Sequence, residues 1–473
     1  MTSRSRPPAP RRTFLKQSFL GLAGVALGST GLAAPSSVAP RRSSGRRLNV
    51  AAIGTSGRAQ NTLRDLLQID AVNLIALCDV DPVRLARGVE LTSAQFPSAR
   101  RYADYRTLFE KERELDAVVI TTPDHMHAPI SLLAMSRGLH VFCEKPLART
   151  VGEARWMRNY ARQSGVVTQM GTQSSAAHST RRAVEIVRAG VLGQVREAHI
   201  WTDRSARLPA QPATSVPPAG MAWDTWLGVS EPRPYSSHLH PFRWRWWQDF
   251  GCGPLGDMGC HLTNVAYRAL DLAAPTAVDV SLSEPAAPGL FPTSARIDYR
   301  FPARGSLDPM TLSWYEGGRE PDPSLLDSLG LKRQFGSVPS NNKIIIGEKG
   351  VLYGELYLKL NGEERFNGIA KHPACLAVPE SFPRNPDQGT LGHYREWVDA
   401  CQGRGVTFAG FDVAAGQTEM VLLGTIAAKL GRNITWDAVR MTVPGEPRAA
   451  SLIQPAYRPG FTLAASELST VST

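Results

Sequence analysis

Asp257 and His261 stand four residues apart, so on a helix they project from one face. An imidazole titrates near neutral pH and can take a proton from an alcohol, while a nearby carboxylate can orient the ring or the alcohol. Lys145 lies just past an apolar run, Leu139 to Cys143, where a strand would present its polar end to a ligand. An ammonium placed there can hydrogen-bond a reacting oxygen and stabilise the alkoxide charge growing on it. Oxidation of an alcohol needs these parts, with hydride leaving the carbon as the proton leaves the oxygen. The same residue types also describe a helix-surface Asp/His pair and a solvated lysine.

The elements that must position them alternate between strand and helix. Leu48 to Gly54 is an apolar strand ending in Gly54-Thr55-Ser56-Gly57-Arg58-Ala59. Residues 59–68 have helical spacing, with Leu63, Leu66 and Leu67 on one face. Asn73 to Cys78 is a second strand finishing in Asp79, and Asp116 to Ile120 a third ending in Thr121-Thr122-Pro123. The run into Glu144-Lys145-Pro146 makes a fourth. Such alternation predicts a parallel sheet covered on both faces, with ligands at the carboxyl ends of the strands.

A dinucleotide turn reads G-x-G-x-x-G; here Gly54, Ser56 and Ala59 hold its three places. Serine still lets backbone N–H groups approach a pyrophosphate, and alanine is an accepted third residue. Asp79, 25 residues after Gly54, can bind both ribose hydroxyls and repels a 2′-phosphate, so NAD is expected rather than NADP.

Two clusters are open to more than one reading. Asp124-His125-Met126-His127 has metal-ligand residue types but no third group at a metal-site spacing, and no metal is expected. Within Phe242-Arg243-Trp244-Arg245-Trp246-Trp247, rings can stack on sugars and arginines can grip hydroxyls or carboxylates. Core packing of the same rings is as good an account. The six cysteines show no C-x-x-C spacing, so neither a zinc site nor a redox dithiol is suggested.

Several unrelated short motifs recur in a set order. Thr122-Pro123 and His127 precede Glu144-Lys145-Pro146. Met170-Gly171-Thr172-Gln173 and the run Gly253 to His261 follow, then Gly347-Glu348-Lys349-Gly350, His393-Tyr394-Arg395-Glu396-Trp397 and Leu430 to Ala438. In this the chain resembles the Gfo/Idh/MocA oxidoreductases, over about residues 48–445. The resemblance implies an NAD-binding Rossmann domain followed by an α+β domain with a large open, mostly antiparallel sheet. That sheet commonly closes over the cofactor on one face and forms an oligomer interface on the other, so a homo-oligomer is expected.

The resemblance also assigns residues. Lys145, Asp257 and His261 match the family's catalytic positions. Gly54, Thr55, Ser56, Gly57, Arg58, Asp79, Thr122, Pro123, Glu144, Lys145 and Gln173 fall where the cofactor is held, and His127 is placed close to the nicotinamide. Many relatives carry an acid where this chain has Asn264. Asn264, Trp244, Arg245 and Trp246 are candidate substrate contacts. Val195 to Trp201, Ala277 to Ser283, Ser294 to Tyr299 and Met310 to Trp314 read as strands of the second domain, with a last helix from about Ala414 to Leu430 beside it.

The formal charge of +11 is misleading until it is located. Nine Lys/Arg and no acid fall in residues 1–47, leaving 44 basic against 42 acidic residues in the body, which excludes a nucleic-acid footprint. Arg11-Arg12-Thr13-Phe14-Leu15-Lys16 and the apolar, small-residue stretch Phe19 to Ala34 resemble a twin-arginine export signal. The expected organisation is a signal peptide over 1–34, a linker over 35–47, the Rossmann domain over 48–170, the second domain over 171–445 and a tail over 446–473. A periplasmic or secreted protein without stable membrane insertion follows, with the export machinery as a transient partner.

Free NAD is not supplied outside the cytoplasm. An exported enzyme of this type would carry its cofactor from the cytoplasm, where twin-arginine substrates fold, and recycle it within each cycle. Three functions fit: net redox chemistry on a sugar or polyol; glycoside hydrolysis by transient oxidation, elimination, hydration and re-reduction; or a non-catalytic sugar-binding scaffold.

Overall fold

The computed structural model describes residues 45–208, 213–387, 389–454 and 456–461. The expected signal peptide, nearly all of the linker and residues 462–473 of the tail lie outside the described residues.

Six parallel strands form the first sheet: β1 (Leu48–Ile53), β2 (Val72–Cys78), β3 (Arg100–Tyr102), β4 (Ala117–Ile120), β5 (His140–Cys143) and β6 (Thr168–Met170). Their order is β3-β2-β1-β4-β5-β6. β1, β4 and β5 are almost wholly buried and apolar, as strands covered by helices on both faces must be. The order reverses between β1 and β4, which opens a crevice beyond their carboxyl ends. Gly54 and Asp79, and the loops opening at Thr121 and Glu144, all stand at those ends.

The second sheet has nine strands: β7 (Val195–Trp201), β8 (Ala277–Leu282), β9 (Ala295–Phe301), β10 (Met310–Glu316), β11 (Asn342–Gly347), β12 (Gly350–Tyr353), β13 (Tyr357–Leu360), β14 (Asn367–Gly368) and β15 (Ile434–Thr435). They run in the order β14-β13-β12-β11-β7-β10-β9-β8-β15. Every neighbouring pair is antiparallel except β7 with β10. Strict alternation on β9 and β10 sends Ile297, Tyr299, Leu312 and Trp314 into the main core. The opposite face, around Trp201, Tyr315 and Ile344, is partly covered by the chain's own helices Pro323–Leu329 and Leu331–Phe335.

The long helix is Phe411–Leu430, buried through most of its length. It packs not only beside the second sheet but also on the Rossmann helix Val151–Ser164. Arg155 pairs bidentately with Glu419 across that contact, at 2.6 and 2.8 Å. Gly424 lets the helix approach β9, because a Cβ there would collide with the Tyr299 hydroxyl. Among the described residues no helix is long and apolar enough to cross a membrane. All six cysteines are buried and unpaired.

Candidate active site

A cavity of about 560 Å³ lies between the Rossmann strand ends and the second domain. One end is built for a dinucleotide. Gly54 has φ +87°, and a Cβ there would sit 2.7 Å from the Thr121 carbonyl oxygen, so only glycine closes the turn. The turn runs through Thr55, Ser56 and Gly57 into the helix Arg58–Leu66, whose N-terminus has no side-chain cap. Its first N–H groups are therefore left for an anion, as a pyrophosphate requires. Asp79 is fixed beside it: Oδ2 accepts from the backbone N and the hydroxyl of Thr55, both at 3.0 Å, and Oδ1 from Asp81 N at 3.0 Å. Burial raises the Asp79 pKa against the pull of those donors. These features fit NAD.

Gln173 holds the Glu144 carboxylate at 2.7 Å, with Arg58 3.5 Å away. Gly171 makes room for it, since a Cβ would lie 2.6 Å from the carboxyl carbon. Thr122, Pro123 and His127 also line the cavity. Both ring nitrogens of His127, however, face backbone carbonyls, those of Pro146 at 2.8 Å and Thr122 at 2.9 Å. The ring braces the β4 loop against the β5 loop instead of offering a nitrogen to a ligand. Burial lowers its pKa to about 4.

The other end gathers the chemical residues. Asp257 and His261 both lie on the helix Gly253–Leu262 and line the cavity with Lys145. Lys145 Nζ donates to the Asp257 carboxylate at 3.0 Å and to the carbonyl of the same residue at 2.5 Å. Burial opposes ionisation of Asp257, but Lys145 and then Arg245 bring its pKa down to about 2. Asp257 thus positions the lysine; its charged partners are Lys145, Arg245 and Arg204. Burial, with Lys145 adding to it, lowers the His261 pKa to about 3, so the imidazole is neutral.

Two candidate substrate contacts are corrected. Asn264 is buried, donating to Ser175 Oγ at 3.1 Å and accepting from Arg268 at 2.8 Å, and it does not line the cavity. The helix that carries Asp257 and His261 ends at Leu262 and Asn264 opens the next one, so Asn264 does not continue the face those two share. Trp246 is buried with Ala206 and Phe291, and borders only a shallower depression beside the cavity. Trp244 and Arg245 do line the cavity. The aromatic run is therefore half core and half wall.

Of the Asp, Glu, Lys and Arg residues that line the cavity, three went unassigned from sequence. Arg204 follows the end of β7, a position that could have marked it. Arg84 donates to Ser56 Oγ at 3.1 Å. Asp124 is held near pKa 7 by burial, against Arg245 and Lys145, and stands at the substrate end; its neighbour His125 turns away to the Trp226 carbonyl. Among the described residues no group of three or more His, Cys, Asp or Glu is arranged for a metal.

Two family models match in chain order: the NAD-binding Rossmann fold of Gfo/Idh/MocA oxidoreductases over residues 48–172, and the C-terminal alpha/beta domain of the same family over 198–303. The chain belongs to the Gfo/Idh/MocA family. Its N-terminal domain is accordingly an NAD-binding Rossmann domain. Over 201 residues it is 26% identical to a glycosyl hydrolase family 109 protein of Shewanella pealeana, and over 202 residues 29% identical to an alpha-N-acetylgalactosaminidase of Shewanella oneidensis. Each match covers 39% of this chain and 44% of the relative, so less than half the length of either relative is spanned. The fold is that of an inositol dehydrogenase homolog from Azotobacter vinelandii complexed with NADH and myo-inositol. That match has TM-score 0.57 and 18% identity, over 84% of this chain and 100% of the other.

Proposed function

We propose that this Gfo/Idh/MocA protein is an exported, NAD-dependent oxidoreductase acting on a sugar or polyol hydroxyl with a cofactor it does not release. The observation that carries the reading is the convergence of Lys145, Asp257 and His261 on the cavity that also holds the Gly54 turn and Asp79. NAD, when bound, would take hydride from the substrate carbon and pass it to the carbonyl of a second sugar, which is reduced as the first is oxidised. Lys145, steadied by Asp257, holds the substrate oxygen and stabilises negative charge as its proton leaves. Neutral His261 takes that proton.

Retention of the cofactor is supported by the connection between β7 and the helix Gly253–Leu262. Residues 213–252 strap back over the Rossmann domain. Ala222 N donates to Val80 O at 2.9 Å, and His125 N to Phe250 O at 3.1 Å. His240 stands 3.5 Å from Asp81. Trp226, His240 and Phe242 from this strap wall the cavity beside Asp79. The twin-arginine leader supports export, and export makes a retained, recycled cofactor necessary.

A second reading is favoured by the names of the two Shewanella relatives: glycoside cleavage through transient oxidation. The same three side chains serve it, because oxidation acidifies the neighbouring C–H and His261 can remove that proton too.

The first experiment purifies protein exported through its own leader, without added nucleotide, then denatures it and assays the supernatant for NAD(H) by absorbance and mass. Near-stoichiometric NAD(H) is expected. No nucleotide, and no NAD binding on titration, would leave a sugar-binding scaffold as the better account.

A further inference from the structure

Charge at the substrate end of the cavity does not balance. Lys145, Arg204 and Arg245 surround a single ionised acid, Asp257. Asp124 beside them is held near pKa 7 and is only partly ionised at neutral pH, and neutral His261 carries no negative charge, so the cations remain in excess. Lys145 uses two of its three N–H donors on Asp257, leaving one for a substrate oxygen. The arginines are matched less well. Arg245 Nε lies 3.5 Å from Asp257 Oδ1, and Arg204 Nε 3.6 Å from Oδ2, which leaves most of their ten N–H donors unmatched. Among the described residues Asp257 is the one charged partner of each in an ion pair.

Arg245 is also preorganised. Its guanidinium lies 4.2 Å from the Trp244 ring centre and 4.5 Å from that of Phe242, with Nη1 donating to Phe242 O at 3.3 Å. A guanidinium held on aromatic faces presents its planar fork at little entropic cost, and that fork matches a carboxylate. Arg204 is more open, with 47% of its side chain exposed. It lines both the cavity and the depression bordered by Asp203, Ser205 and Asn341, so the pair stands at the mouth.

We infer that Arg204 and Arg245 form a carboxylate subsite and that the preferred substrate is an acidic sugar, a hexuronic acid residue free or glycosidically linked. This rests on the sugar reading above and names the substrate class of the same site. The carboxylate docks between the two arginines at the mouth, while the reacting hydroxyl reaches Lys145 and His261 further in.

The test is calorimetric titration of the full NAD-loaded protein with methyl β-D-glucuronide, methyl β-D-glucoside and methyl β-D-glucoside 6-sulfate. The glucuronide is expected to bind at least about tenfold more tightly than the glucoside, with the gap narrowing between 0.05 and 0.5 M salt as screening grows, roughly. Arg204→Gln and Arg245→Gln should each shrink that ratio several-fold; thermal melts verify folding, and the exposed Arg204 is the safer variant. Equal affinity for glucuronide and glucoside, or an unchanged ratio in both variants, overturns the inference. Sulfate binding as tight as glucuronide overturns the carboxylate assignment. A neutral sugar bound and turned over while the acid is ignored overturns this inference alone. No sugar bound by NAD-loaded protein overturns the sugar reading with it.

Discussion

Lys145 Nζ bonds both the carboxylate and the backbone carbonyl of Asp257, at 3.0 and 2.5 Å. The contact spans 112 residues of chain and locks the end of β5 to the helix Gly253–Leu262. It sets the ammonium beside His261, and it gives the lysine one position where a free side chain would have many. Pre-set charge of this kind favours a developing alkoxide without reorganisation during the reaction.

Replacing Lys145 by alanine should therefore lower kcat by about two to three orders of magnitude. Asp257 keeps Arg204 and Arg245, so folding and NAD content should persist. Steady-state rates set beside NAD(H) released on denaturation measure both. Turnover within a few-fold of the parent would remove Lys145 from the reaction.

Asp79→Ala should weaken NAD at least about tenfold and reduce discrimination against NADP, since a carboxylate at the ribose is lost. Direct titration of stripped protein with each nucleotide gives the two constants. Thr55 loses its acceptor in the same variant, so affinity alone is ambiguous. The NAD:NADP ratio is the informative readout, and an unchanged ratio would exclude a ribose contact.

The legible parts of this chain are those set by short-range pattern. β1, β4 and β5 are apolar runs bounded by turn residues, and each polar motif that follows them lies on the cavity wall. β3 is not legible: three residues, two arginines exposed at a sheet edge, leave no apolar pattern. The hairpin β11–β12 turns at Gly347-Glu348-Lys349-Gly350, which stands out in the sequence as a motif but not as a turn between strands. The site fails to read through where direction matters. In the short turn Arg243–Trp246, Trp244 and Trp246 are both buried, yet only Trp244 reaches the cavity. Composition cannot say which ring faces inward. Arg204, just past β7, comes to Asp257 on the helix Gly253–Leu262 only through tertiary packing within the second domain.

Acid should destabilise the protein from about pH 6.5 downwards. Burial depresses His125, His261 and His393 to about 3, and His127 and His240 to about 4, from an ordinary 6.5. Between those values the unfolded chain binds protons that the folded chain does not, so stability is full above pH 6.5 and is lost as pH falls. Asp124 and Glu316 act in the opposite sense: burial raises them to about 7 and 8, so the fold holds their protons where the unfolded chain has released them. Five groups against two leave a net loss of stability near pH 5. Melting temperature from pH 7.5 to 4.5 checks this, and a flat or rising profile towards acid would contradict the buried neutral histidines.

His261 separates the two catalytic readings. In net redox chemistry its proton comes from a hydroxyl, and the product stays oxidised. In glycoside cleavage it also removes a carbon-bound proton next to the transient ketone, and re-reduction leaves an unoxidised sugar. Turnover in deuterated water therefore gives different outcomes. Cleavage should leave deuterium at the carbon next to the oxidised one, seen by mass and NMR, with no acceptor consumed. Net oxidation should leave non-exchangeable positions unlabelled and yield one ketone or lactone, with one carbonyl acceptor reduced, per turnover. His261→Gln keeps a polar side chain of similar reach but cannot carry the proton, so it should lose product by at least about 10²-fold on either route. If the variant retains wash-in of deuterium while product falls, the carbon acid is deprotonated by another group, and Asp124, with a pKa near 7 and so partly ionised at neutral pH, lines the same end and is the residue to substitute next.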